Sequence, residues 1–89
     1  MIDIIRRGAK MNKLRILVEN MATAVLDFPE DLKITYTSMA TSSIKFNVTC
    51  RDSDLPHLIG RHGILVRSMR SILHAAGTKD DIKTYLSVD

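Results

Sequence analysis

An α+β fold, with six elements in the order αββααβ, is predicted by three patterns in this sequence. One amphipathic helical stripe comes first, two short runs of strict apolar–polar alternation follow, and two helical segments then lead into a third alternating run. Strands joined by a short loop pair antiparallel, whereas strands joined through a two-helix crossover can run parallel with helices on one face. The expected architecture is therefore a three-stranded mixed sheet covered on one face by three helices.

The first helix rests on Leu14, Leu17, Val18, Met21 and Val25, which recur at helical spacing between Lys13 and Leu26. Pro29 in "DFPED" ends the pattern, because a proline disfavours the α conformation in the residue before it. Leu32, Ile34 and Tyr36 then alternate with Lys33, Thr35 and Thr37, which reads as a half-buried strand. After the polar joint "SMATSS", Ile44, Phe46, Val48 and Cys50 alternate with Lys45, Asn47 and Thr49, giving a second strand and a hairpin.

A short helix is expected next. Ser53 or Asp54 supplies its N-cap, Pro56 lies in its first turn and Gly60 arrives within two turns. A third helix runs from about Ile64 to Ala76 with Leu65, Met69, Ile72, Leu73 and Ala76 on its apolar stripe, and Gly77 is its expected stop. In the closing run "IKTYLSVD", Ile82, Thr84, Leu86 and Val88 alternate with Lys83, Tyr85 and Ser87 as the third strand. Residues 13–89 then form a single domain, and residues 1–12 are an extension outside this pattern.

Composition narrows the function classes. The 89 residues are 45% hydrophobic and 26% charged, a globular balance with room for one core. No continuous apolar run reaches signal-peptide or membrane-span length, so a cytoplasmic chain without a membrane partner is expected. A single cysteine, Cys50, forms no internal disulfide; on an apolar strand face it reads as a small core residue rather than a nucleophile. His57, His62 and His74 lack metal-ligand spacing, and no nucleophile triad, paired-carboxylate motif or P-loop is present. The chain is read as non-catalytic, without metal or cofactor. A net charge of +3 favours an anionic partner.

"LIGRHGILVRSMRSIL" gives that partner a place. Gly60 ends one helix and Gly63 precedes the next, so Arg61 and His62 form a two-residue loop at a helix amino terminus, where N–H groups and the helix dipole favour phosphate. Glycine lets a sugar–phosphate backbone lie against the chain, Arg61 adds a planar cation, and His62 a hydrogen-bond donor. Arg67, Arg70, Ser71 and His74 continue a polar, partly basic stripe along the third helix, with Arg67 one turn past the loop.

The loop resembles the G-x-x-G motif of KH domains. The stretch from Leu14 to Val88, with "PED" after the first helix, "LIGRHG" at the helix junction and "SILHAAGTKDDIKTYLSVD" to the end, resembles the small single-domain bacterial KH RNA-binding proteins of the KhpA type, and αββααβ matches the type II KH order. The resemblance implies a non-catalytic single-stranded RNA-binding protein, an RNA chaperone or post-transcriptional regulator, that clamps about four nucleotides. By position, Gly60, Arg61, His62 and Gly63 form the clamp, Ile59 lies at the groove floor, and Arg67 and Arg70 extend the site. Ile64 departs from the basic residue that many relatives carry after the second glycine. Single-stranded DNA is a second ligand of the same chemistry, and the implied protein partners are a second copy or another KH-containing protein.

Two other readings use the same residues. A helix-turn-helix DNA binder also has helix, glycine turn and helix, but it needs one glycine at most and base-reading side chains where Ile64 and Leu65 stand. An adaptor would present the same surface to protein. With two Phe, two Tyr and no Trp, the chain lacks the paired sheet aromatics on which RNP-type modules stack bases.

Overall fold

The structure, a computed structural model, describes residues 2–89, with side chains described from Lys10 onward. Its main elements are α1 (Ile2–Thr23), β1 (Lys33–Ala40), β2 (Ser43–Thr49), α2 (Leu55–Ile59), α3 (Ile64–Lys79) and β3 (Lys83–Val88). Single 3₁₀ turns at Pro29–Asp31, Asp52–Asp54 and Arg61–Gly63 join them. The predicted element order and α+β class are both present.

β2 is the central strand. It pairs antiparallel with β1, Tyr36 opposite Phe46, and parallel with β3, Phe46 opposite Leu86. Because side chains alternate across a sheet, these registers place Ile44, Phe46, Val48 and Leu86 on one face, where all four are buried. Leu14, Val18 and Ala22 of α1, Leu58 of α2, and Val66, Met69 and Leu73 of α3 close over them as one apolar cluster. Phe46, fully buried, is its largest side chain. Among the described residues no helix is long and apolar enough to cross a membrane.

Several local expectations need correction. β1 continues through Ser38, Met39 and Ala40, leaving Thr41 and Ser42 as the turn. A polar stretch can still pair through its backbone, and the register slips between Ser38 and Ala40 to close the hairpin. The strand is also far less buried than its alternation predicts: only Ile34 is partly covered, and Tyr36 stays 47% exposed although its ring lies 5.9 Å from that of Phe46. As an edge strand it has few contacts with the helical layer, which packs mainly against its neighbours.

On α3 the buried stripe is Val66, Met69, Leu73 and Gly77, while Ile72 is exposed. Gly77 is not the stop. It lies inside the helix where β3 crosses, and a Cβ there would meet the Ile82 carbonyl oxygen at 2.6 Å and Thr84 Cγ2 at 2.7 Å. The helix ends at Lys79 and is closed by Asp81, two residues on, in left-handed conformation (φ 58°). The Asp81 N–H donates to Thr78 O (3.1 Å) and the Ile82 N–H to Gly77 O (2.8 Å). These are the two bonds of a Schellman cap, built here on Asp in place of Gly.

Neither Ser53 nor Asp54 caps α2 with a side-chain hydrogen bond. Asp54 is fully buried, and its carboxylate accepts the N–H of Asp27 (3.1 Å) and of Phe28 (2.8 Å) from the turn after α1. Close by, Arg51 donates to Asp31 (2.6 Å) and lies 3.7 Å from the centre of the Phe28 ring. The connection after α1 is thereby tied to the segment that starts α2.

Candidate nucleic-acid interface

The junction between α2 and α3 is a turn held from within. Pro56 begins α2 at a position that needs no N–H. Leu58 anchors the helix in the core and Ile59 packs against it from a partly exposed position. Gly60 then takes φ 79°, ψ 169°, a region essentially closed to residues with a Cβ. Its N–H donates to Pro56 O (2.9 Å), and its carbonyl accepts the Gly63 N–H (3.1 Å).

Arg61 and His62 sit on the exposed rim. His62 and Gly63 are consecutive left-handed residues, with φ of 56° and 74°. Glycine accepts that conformation freely; His62 holds it against a steric cost. Part of the compensation is visible: Arg67 Nη2, from the first turn of α3, donates to the His62 carbonyl at 3.0 Å.

The N–H groups that meet at this turn are divided between two fates. Those of Gly60, Gly63 and Ile64 bond within the chain. None of the turn and cap hydrogen bonds described for the loop uses the N–H of Arg61 or His62. An anion approaching the loop thus meets the Arg61 guanidinium, the His62 ring and the middle of the turn rather than the whole helix end.

Of the expected site residues, Gly60, Arg61, His62, Gly63 and Arg67 are brought together around one turn. Ile59 lies at its base. Arg70 stands one turn further along, and its Nε donates to the Leu86 carbonyl at 3.1 Å, holding α3 to β3. Ile64, 59% exposed, presents an apolar side chain beside the second glycine. The described depressions lie elsewhere: the largest two, each of about 380 Å³, are flanked by Leu17 and Ala76 and by Ser43 and His74. The loop is an open surface turn.

The five-residue α2 leaves the helix-turn-helix reading without an adequate first helix. Asp27, Asp54 and His57 form a group that sequence spacing did not assemble, with ligand atoms within 4.8 Å of one another. Both oxygens of Asp54 there already accept backbone N–H groups, and His57 Nε2 is 3.6 Å from Asp27, so the group serves as a knot between two turns. Cys50 is partly buried against the core; burial first, then the Asp54 and Asp52 carboxylates, push its thiol above the ordinary value and keep it protonated at neutral pH.

The sequence is similar to those of known proteins. The family described as "KhpA/KhpB, KH domain" matches residues 15–88. An RNA-binding protein KhpA of Oceanobacillus iheyensis is 24% identical over 75 residues, covering 84% of this chain and 99% of the relative. Its counterpart in Halalkalibacterium halodurans is 27% identical over 75 residues, with coverage of 84% and 97%. One from Listeria monocytogenes is 28% identical over 72 residues, with coverage of 81% and 93%. No solved structure matches this chain to a comparable degree.

Proposed function

The chain belongs to the KhpA/KhpB KH-domain family, and from that premise we propose that it is a non-catalytic, cytoplasmic single-stranded RNA-binding protein. Residues 13–89 are the binding unit and residues 1–12 an extension, of which residues 2–12 lengthen α1. Gly60, Arg61, His62 and Gly63 seat the phosphate backbone, Ile59 underlies the adjoining bases, and Arg67 braces the turn while adding charge. Arg70 contributes positive potential from the next helical turn, its main contact being with β3.

The observation that carries this reading is the turn of left-handed His62 and Gly63, with exposed Arg61 and Arg67 on either side and room for a small side chain at Gly63, where an added Cβ would meet Val66 Cγ1 at 4.0 Å. The left-handed backbone by itself favours glycine at position 63, and the exposed Arg61 and His62 beside it are what suit the turn to an anion. One such clamp covers about four nucleotides, so useful affinity calls for a second copy or a second KH-containing protein acting on the same RNA. Exposed Ile64 and Ile72 on α3 offer apolar surface for that pairing.

Gly63→Asp is the test. Nothing lies closer than 4.0 Å to the new Cβ and Asp tolerates the left-handed region, so the fold is retained while a carboxylate occupies the phosphate seat. Fluorescence anisotropy with oligouridylate is expected to show affinity falling at least about tenfold. Wild-type affinity should weaken by about 0.7 log units per neutralised phosphate for each tenfold rise in salt. Equal affinity of the folded variant, or a wild-type preference for duplex, overturns the proposal.

A further inference from the structure

The sheet face turned away from the helices carries a second pattern that the loop does not use. By register, Lys33, Thr35 and Thr37 of β1, Lys45 and Asn47 of β2, and Lys83, Tyr85 and Ser87 of β3 share that face. None of the three strands contains an Asp or Glu. All three of their lysines fall on the outer face, all are exposed, and none takes part in an ion pair among the described residues. The carboxylates Asp31, Asp81 and Asp89 flank the strand ends.

The lysines form a diagonal. Lys83 borders Ser43 at one end of the sheet, Lys45 lies one register step further on the central strand, and Lys33 faces Thr49 at the other end. From strand rise and spacing, their Cα atoms are roughly 8 Å and then roughly 14 Å apart. Tyr85, 44% exposed, is the register partner of Lys45 and is the aromatic residue of this face. Thr, Ser and Asn fill the remaining positions with uncharged hydrogen-bonding groups.

A solvated sheet face ordinarily intersperses both signs of charge. A face with cations only, an aromatic ring beside the middle cation, and no apolar patch is complementary to a polyanion with stackable bases. We propose that this outer sheet face is a second contact surface for single-stranded nucleic acid, with phosphates along Lys83, Lys45 and Lys33 and one base against Tyr85. It rests on the proposed RNA binding and extends it: a strand longer than the clamp's own footprint gains further contacts on the opposite side of the domain.

The full chain is titrated with an oligouridylate of about four nucleotides and with one about three times longer. Lys33→Thr, Lys45→Thr and Lys83→Thr are combined, since Thr keeps strand preference. The triple variant should bind the short oligomer as wild type does, and lower the salt slope for the long one by about two. Tyr85→Ala should weaken the long oligomer about tenfold, and the single Lys45→Glu variant should act in the same direction as the triple change. Unchanged slope and affinity for the long oligomer, in triple and single variants alike, overturn the sheet-face proposal. If Gly63→Asp still loses the short oligomer in that event, the clamp reading stands alone; if wild type binds neither oligomer, both fall.

Discussion

At Gly60 an added Cβ would lie 2.7 Å from Leu65 Cβ and 2.9 Å from the Leu65 N, whereas at Gly63 the nearest described atom is Val66 Cγ1 at 4.0 Å. The two glycines therefore resist substitution for different reasons: the first through sterics and backbone together, the second through backbone alone. Gly60→Ala is expected to lose about 3 kcal/mol in urea unfolding, and Gly63→Ala about 1 kcal/mol. Equal losses would refute the distinction. It also means that Gly60→Asp is no clean binding probe, because the fold would suffer with the site. At Cys50 the raised pKa means that thiolate, and so alkylation by iodoacetamide, stays low at neutral pH and climbs only as pH passes above the ordinary thiol value. Rapid labelling of the folded chain at pH 7 would contradict it. The glycine pair was legible in the sequence because glycine declares its own backbone freedom. Asp54 was not, since a carboxylate before a short helix looks like a cap whether its partners are local or 26 and 27 residues upstream.

Between elements, two contacts carry more than their size suggests. Asp54→Ala leaves the N–H groups of Asp27 and Phe28 without their buried acceptor and should cost about 2–4 kcal/mol. Arg51→Ala, which removes a half-exposed ion pair and a ring contact, should cost no more than about 1 kcal/mol. Thermal melts of both variants check the ranking. Gly77→Ala sets helix propensity against packing: alanine favours the helix by about 1 kcal/mol, yet its methyl would push Ile82 and Thr84 of the adjoining chain away. Packing is expected to prevail, with a net loss of about 1–2 kcal/mol by denaturant titration. Periodicity located the three strands, α3 and α1 from Lys13 onward, while α2 was read from Pro56 and Gly60. It misjudged the rotation of α3, choosing Leu65 and Ile72 where Val66 and Gly77 are buried, because a run with apolar residues on several sides does not state which one faces the sheet. It also overstated the burial of β1, since alternation records a face but not whether anything covers it.

Across the whole molecule, the order αββααβ followed from the apolar patterns, and the mixed sheet from the connections between them, because a hairpin joint and a two-helix crossover leave few alternatives. What required the structure was register. Once Lys45 is opposite Thr37 and Tyr85, the outer face becomes a definite set of residues rather than the polar half of three strings. The parallel seam of β2 and β3 has a further consequence in time. It joins Ser43 to Lys83, so that seam closes a long loop, whereas the β1–β2 hairpin closes across Thr41 and Ser42. The hairpin should consequently be present when the refolding barrier is crossed, with the seam docking on the downhill side. A chevron plot of Gly77→Ala is then expected to show a steeply raised unfolding rate and a nearly unaltered refolding rate.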